Sequence, residues 1–383
     1  MNRQAHIAVF LPSLAGGGAQ LVMLKLAGAI AERGYPVDIV LSQATGPYLA
    51  QLPPKVRVVD LGSTHVLTSL PALMRYLRRD RPDALIAVMT HTNVVATWAR
   101  RLTGFPNLLM LTEHNTISVE RATNWRAHLL PFLARIFYPW SDAIVAVSHG
   151  VADDMAPTLG LARERIHVIY NPIITPQLRQ KVQEPLTHPW FTPGAPPVIL
   201  GVGRLTAQKD FATLIQAFAH VRRNRLARLM ILGEGEERPT LERLIEQLNL
   251  GADVSLPGFV ANPYSYMARA AIFALSSRWE GLPSVLIEAL YCGAAIVSTD
   301  CPSGPQEILA GGRYGRLAQV GDSEAFAAAI QLTLDQPQAR PPAESWHPYE
   351  QETVVDQYLN LLLNTETRAG AGTINTNDLT KNA

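Results

Sequence analysis

Residues 278–309 read RWEGLPSVLIEALYCGAAIVSTDCPSGPQEIL, a run that parses into a turn, an apolar helix and, at 295–299, a short buried strand. Gly281-Leu282-Pro283 is turn chemistry, and Pro283 suits the first helical position because its missing N–H would have had no partner there. Glu280 then stands in the loop before the helix, with Glu288 roughly two turns inside it. Between them the first backbone N–H groups, those of Ser284 and Val285 among them, face outward with the positive end of the helix dipole. A carboxylate on either side of a phosphate-sized hole suits a ligand that carries both a phosphate and hydroxyls, as a nucleotide sugar does. Spacing alone fits equally well a helix that starts after a turn flanked by two solvated glutamates.

Outward from this run, the second half of the chain alternates strands at 198–203, 228–233, 254–260, 271–276, 295–299 and 316–318 with helices such as 208–222 and 236–249. The first half does the same. Strands fit at 6–11, 35–41, 56–61, 84–89, 108–113, 143–148 and 167–170, and a helix at about 19–33 ends at Gly34. Strands separated by helices predict parallel sheets covered on both faces. A Pro-rich stretch at 185–197 interrupts the alternation and reads as a boundary. The expectation is an α/β chain of two similar doubly wound, Rossmann-like domains facing a central cleft. They span residues 1–183 and 184–348. A last helix at 349–364 is expected to pack back toward the first domain, and the polar, aperiodic tail 365–383 to be disordered.

Composition narrows the function. At 383 residues and a formal net charge of +1, nothing argues for a nucleic-acid partner or for long-range steering. Two cysteines, Cys292 and Cys301, have no metal-ligand spacing, and so few in a chain this size fit a reducing compartment. The opening MNRQAHIAVFLPSL has too short an apolar run for a signal peptide, and no stretch approaches the roughly 20 apolar residues of a membrane span. A soluble or peripheral protein is expected. The glycines also exclude a dinucleotide fingerprint: counting from Gly16, Leu21 takes the place of the third glycine, and from Gly201, Thr206 does. The second strand ends in Val40-Leu41-Ser42-Gln43, with no acid for a ribose hydroxyl. Gly16-Gly17-Gly18, at a strand's carboxyl end, is where an open sheet binds ligand, although a flexible turn reads the same way. In GRLTAQKD (203–210), Arg204 and Lys209 put two cations just past a strand end. A departing diphosphate needs positive charge of this kind.

Taken together, GVGRLTAQKD, ILGEGEERPTLE, LPGFV and the run at 278–309 resemble the retaining glycosyltransferases of family 4, which have the GT-B fold. GGGAQ and SDAIVAVSHGVADDM in the first half are similar to the same family, and the likeness extends to about residue 360. It implies that Arg204 and Lys209 hold the donor diphosphate and that Glu288 bonds the ribose hydroxyls. Glu280 and backbone groups of Gly281, Leu282, Pro283, Ser284 and Val285 would face the donor sugar. Gly16, Gly17 and Gly18 would lie near the donor phosphates and the acceptor. His114, in Thr112-Glu113-His114-Asn115, matches the histidine beside the transferred sugar. Trp279 and Gln20 depart from the residues many relatives carry, without removing a charge the reaction needs. The family's chemistry retains anomeric configuration, uses a UDP-sugar as co-substrate, and implies no metal and no other cofactor.

The version of the last loop at 301–309 resembles enzymes that build bacterial cell-surface and lipid-linked glycans, so the implied reaction moves a hexose or N-acetylhexosamine from UDP to such an acceptor. Residues 124–140 mix aromatics (Trp125, Phe132, Phe137, Tyr138, Trp140) with Arg126, His128 and Arg135, and 70–81 adds Arg75, Arg78, Arg79 and Arg81. Both segments suit an anionic membrane surface, and hence a cytoplasmic enzyme peripheral on the inner face of the plasma membrane. A buried helix with a solvated basic edge would look alike. A sugar-nucleotide epimerase, a phosphorylase and a non-catalytic partner of the same fold are the alternatives.

Overall fold

The computed structural model describes residues 4–118, 129–336 and 338–363. The expected disordered tail at 365–383, and the patch residues Trp125, Arg126 and His128, lie outside them. The chain divides into two compact units. One comprises the described parts of Met1–Val147, Val151–Ile169 and Glu352–Ala383; the other is Ser148–Gly150 with Tyr170–Gln351.

The first unit is built on seven parallel strands: β1 (Ile7–Leu11), β2 (Val37–Leu41), β3 (Val56–Asp60), β4 (Ala84–Val88), β5 (Leu108–Glu113), β6 (Ala143–Ala146) and β7 (Ile166–Val168). Their order is β3-β2-β1-β4-β5-β6-β7. Every residue of β1, β2, β4 and β5 is buried; β1 and β4 accordingly read as unbroken apolar runs rather than as alternations, and β2 and β5 depart from that only at Asp38, Thr112 and Glu113. The helices are α1 (Gly18–Glu32), α2 (Leu70–Asp80), α3 (Thr90–Thr103), α4 (Leu129–Phe137) and α5 (His149–Leu159). At the amino ends of β1–β3, buried Asp38 accepts hydrogen bonds from Tyr76 (2.6 Å) and Arg57 and lies 2.9 Å from His6 Nε2. Polar groups there are paired with one another, and the carboxyl ends are left for chemistry.

The second unit has six parallel strands: β8 (Val198–Val202), β9 (Arg228–Leu232), β10 (Val254–Gly258), β11 (Ile272–Leu275), β12 (Ile296–Thr299) and β13 (Arg316–Ala318), ordered β10-β9-β8-β11-β12-β13. Between them run α6 (Pro176–Val182, ahead of β8), α7 (Phe211–Asn224), α8 (Arg238–Gln247), α9 (Tyr264–Met267), α10 (Ser284–Cys292), α11 (Pro305–Ile308) and α12 (Ser323–Asp335). Phe211, Leu214, Phe218 and Phe326 close its core against Ile199, Ile231 and Val297. Each such side chain contributes about 1.5–3 kcal/mol on burial.

All thirteen strands expected from the sequence are present, within one or two residues of the predicted bounds. The Pro-rich stretch at 185–197 belongs to the second unit. His188 packs edge-on to Trp190 and Phe191, the ring of Phe191 meets Tyr266, and the Arg228 guanidinium lies 4.7 Å over Trp190. Asn262 donates to the Lys181 carbonyl (2.9 Å) and to Glu184, which joins α6 to the same unit. The sequence alone gives no sign of these contacts. The last helix, α13 (Gln351–Leu363), clusters from Glu352 onward with the first unit, where Arg33 at the end of α1 pairs with Glu352 and Asp356.

Candidate functional site

In the second sheet the strand order reverses between β8 and β11, which lie side by side. Two loops leave the carboxyl ends of neighbouring strands there, one ahead of α7 and one ahead of α10. An open parallel sheet takes its ligands at such a switch point. The first loop carries Arg204 and Lys209, and the second carries Glu280 and residues 281–283. Seventy residues apart in sequence, they are brought together.

Lys209 Nζ donates to Glu280 Oε1 at 2.5 Å, and Ser277 Oγ donates to the same oxygen at 2.6 Å. Both partners of the ion pair are nearly buried, so the pair is screened far less than a surface one. The backbone is fixed around them: Ser276 Oγ donates to the Lys209 carbonyl at 2.8 Å, and Gln208 Nε2 to that of Trp279 at 2.9 Å. Asp210 caps α7 from the left-handed region (φ 46°), accepting from Thr213 Oγ1 at 2.8 Å, and also holds Arg278 at 3.0 Å. The Arg204 guanidinium, by contrast, is exposed and makes no ion pair among the described residues.

Glycines set the spacing beneath these loops. A Cβ on Gly233 (φ 144°) would stand 1.9 Å from the Gly203 carbonyl oxygen, and one on Gly235 2.3 Å from that of Leu205. The Leu205 N–H donates to the Glu234 carbonyl at 2.9 Å, so the loop after β9 supports the loop after β8 directly.

The helix after the second loop starts one residue later than the sequence suggests. Pro283 is the extended cap (φ −68°, ψ 95°) and Ser284 the first helical residue; the proline ring is seated on Gly304, where a Cβ would meet its Cδ at 2.4 Å. Glu288 is therefore little more than one turn inside α10, not two. Tyr264 OH donates to it at 3.3 Å, and burial followed by the Glu288 charge pushes that phenol up. No side chain caps α10, so the first-turn N–H groups of Ser284 and Val285 remain available to an anion. Gly281, Leu282 and Pro283 are buried, and Ser303 Oγ holds the Gly281 carbonyl at 2.8 Å. Burial, with Glu280 adding to it at Cys301, pushes the Cys292 and Cys301 thiols up to about 12, and neither is a nucleophile near neutral pH.

The first unit has its own switch point, between β1 and β4. Gly16, Gly17 and Gly18 follow β1; Gly16 is at φ 119°, and its N–H donates to Gln20 Oε1 at 2.9 Å. A Cβ on Gly16 or Gly18 would meet nothing within 4 Å. Met89, between β4 and α3, holds a φ of 77° that non-glycine residues rarely adopt. His114, just past β5, is buried; its Nδ1 has no hydrogen-bond partner among the described residues, and its Nε2 is 3.5 Å from Thr112 Oγ1. Burial pushes its pKa down to about 4, so the ring is neutral at pH 7. Its neighbour Glu113 is locked instead, accepting from Tyr138, from Asn93 (3.0 Å) and from Thr90 (3.2 Å).

Sequence reasoning missed Ser277, Asp210, Tyr264 and Met89. Ser277 and Asp210 act across three residues, through a turn and a helix cap whose geometry no single residue announces; Tyr264 acts through a contact distant in sequence, and Met89 through backbone geometry. Among the described residues no cluster of three or more His, Cys, Asp or Glu could hold a metal ion.

The model for "Glycosyltransferase Family 4" matches residues 16–176, and that for "Glycosyl transferases group 1" matches residues 183–352. Between them they account for most of the chain. The chain belongs to the family-4 glycosyltransferases and has the GT-B fold. A Campylobacter jejuni N-acetylgalactosamine-N,N'-diacetylbacillosaminyl-diphospho-undecaprenol 4-alpha-N-acetylgalactosaminyltransferase is 29% identical over 87% of this chain and 91% of its own length. The lipopolysaccharide core biosynthesis glycosyltransferase LpsE of Rhizobium meliloti is 28% identical over 90% and 96%. Among solved structures, Anabaena HepE in complex with UDP and glucose superposes with a TM-score of 0.74 at 22% identity, covering 94% of this chain and 99% of that one.

Proposed function

We propose that this glycosyltransferase moves a hexose or N-acetylhexosamine from a UDP-sugar to a lipid-linked or cell-surface glycan, with retention of anomeric configuration, at the inner face of a membrane. The observation that carries the reading is the Lys209–Glu280 pair, held by Ser277 beside the uncapped start of α10. In this scheme the UDP diphosphate lies against Arg204, Lys209 and the free N–H groups of Ser284 and Val285. Glu288, steadied by Tyr264, takes the ribose hydroxyls. As the bond from the anomeric carbon to the diphosphate oxygen breaks, cations fixed in advance stabilise the growing negative charge without having to reorganise. Glu280 orients Lys209 and faces the donor sugar. The acceptor oxygen attacks the oxocarbenium-like carbon from the face that UDP leaves, and the departing phosphate takes the acceptor proton. His114, neutral and with a free ring nitrogen, is suited to accept or donate one hydrogen bond beside the transferred sugar. In support of the acceptor, the name of the Campylobacter jejuni relative describes a diphospho-undecaprenol carrier; in support of the nucleotide, HepE was crystallised with UDP.

Calorimetric titration with UDP, GDP and ADP tests this without knowledge of the acceptor. Selective UDP binding is expected, weakened at least tenfold by Lys209→Ala, a change of about 1.4 kcal/mol or more. Because removing Lys209 leaves Glu280 buried and unpaired, Arg204→Ala serves as the companion: its side chain is exposed, so lost affinity there is not lost fold. Equal binding of all three nucleotides, or none by the wild type, would overturn the reading.

A further inference from the structure

Four of the large apolar side chains exposed among the described residues lie on adjoining elements of the first unit. Leu102, Phe132, Ile136 and Trp140 are exposed by 57, 60, 42 and 40%. Phe132 and Ile136 are one turn apart on α4, and Trp140 follows in the 3-10 turn Tyr138–Trp140. Leu102 comes from α3, which packs against both α2 and α4. The connections are direct. The Arg101 guanidinium lies 5.6 Å over the Trp140 ring, Arg100 donates to the Trp140 carbonyl at 3.1 Å, and Arg78 to that of Leu102 at 3.4 Å. Trp98 and Phe137, both half-buried, back the exposed Trp140: the rings meet edge to face at 5.4 Å (Trp98–Phe137) and 4.8 Å (Phe137–Trp140). Tyr138, which the sequence grouped with these aromatics, is core: it is fully buried and donates to Glu113.

The charge on this face is one-sided. Helices α2, α3 and α4 carry Arg75, Arg78, Arg79, Arg100, Arg101 and Arg135 against a single carboxylate, Asp80. Asp80 is already taken by Arg57 and Arg79, and Arg100 by Asp142. Arg75, Arg78, Arg81, Arg101 and Arg135 are exposed and make no ion pair among the described residues. The segment 70–81 and the described part of 124–140, separate in the sequence, are thus joined through the end of α3, which the sequence alone does not single out.

We propose that this face of the first unit, the tips of Leu102, Phe132, Ile136 and Trp140 ringed by arginines, docks on an anionic phospholipid bilayer. Four apolar tips fall short of the roughly 800 Å² per partner that a stable protein interface buries. A second copy placed face to face would set arginine against arginine. Shallow insertion of apolar tips under a ring of cations, with a tryptophan at headgroup depth, is the arrangement an interfacial membrane contact uses. The inference rests on the proposed function in one respect, that a lipid-carried acceptor gives such a face its use.

The test is co-sedimentation of the full chain with phosphatidylglycerol vesicles and with phosphatidylcholine vesicles, at low and at raised salt. The wild type is expected to sediment with the first, less so as salt rises, and not with the second. Leu102→Ser/Phe132→Ser/Ile136→Ser and, separately, Arg78→Gln/Arg81→Gln/Arg101→Gln should each lower the vesicle-bound fraction at least tenfold with the melting temperature and UDP titration unchanged. Wild type left in the supernatant, equal binding to both lipids, or variants that sediment like the wild type would overturn the proposal. So would a wild-type dimer that the apolar variant breaks while vesicle binding is absent. Loss of UDP binding by the wild type would instead sink the glycosyl-transfer reading, and the vesicle result would stand apart from it.

Discussion

The carboxyl ends of the two sheets share a topology and differ in how they are filled. At the β8–β11 switch point the side chains are engaged with one another: Lys209 with Glu280, Glu280 with Ser277, Asp210 with Arg278. The glycines there, Gly233 and Gly235, are required because backbone carbonyls occupy the space a Cβ would need. At the β1–β4 switch point, Gly16 and Gly18 have open space around them, and past β5 of the same sheet His114 keeps a buried nitrogen without a partner among the described residues. The same fold therefore offers one set of charges already paired and fixed, and one loop with room around its glycines. This is the division expected if the second unit holds a diphosphate of fixed shape and the first meets groups that vary. The first unit's candidates have room around them or an unsatisfied atom, and so their importance is read from what a ligand would add.

The comparison breaks most sharply at Gly233. Gly233→Ala drives a methyl into the Gly203 carbonyl and is expected to destabilise the protein by about 3 kcal/mol or more, read as a loss in urea midpoint. An unchanged midpoint would show that the loops after β8 and β9 move freely. His114 gives the next effect. Its pKa falls from 6.5 in the unfolded chain to about 4 in the fold, so between those values the unfolded state holds the extra proton. Stability from this group is complete above about pH 6.5 and is lost as pH falls toward 4, by at most about 3 kcal/mol. Burial lowers His91 and His167 in the same direction. Urea unfolding at pH 5 and pH 7.5 should show a smaller difference in His114→Gln than in the wild type; an identical difference would mean that the ring is not held neutral by burial. Gly18→Ala is the smallest and the most discriminating. The new Cβ meets nothing, so stability should shift by less than about 0.5 kcal/mol, and transfer activity should fall only if ligand occupies that space. Unchanged activity would make the glycine run a turn and no more.

Much of this was legible in the chain itself. Unbroken apolar runs such as 7–11 and 84–88 announce strands covered on both faces, and their alternation with helical stretches leaves a parallel sheet as the outcome. Arg204, Lys209 and Glu280 could be named because they stand beside turn residues at strand ends, and Glu288 because its spacing from Glu280 matches the motif the chain resembles. The partners that give these residues their properties could not. Ser277 is three residues from Glu280, but its bond depends on a turn geometry that the sequence does not encode in any one residue. Tyr264 reaches Glu288 across α9 and α10, and Met89 carries strain where a glycine would have been the only warning.

The sequence by itself determined the fold class, the order of elements and the charged residues at the ends of β8 and β11, because periodicity and turn chemistry act over a few residues. Tertiary structure decided which of those residues meet. Lys209 and Glu280 are far apart until β8 and β11 become neighbours, and Arg101 reaches the Trp140 ring only when α3 packs on α4. Such contacts form when segments distant in sequence pack against one another, and no window along the chain contains both partners.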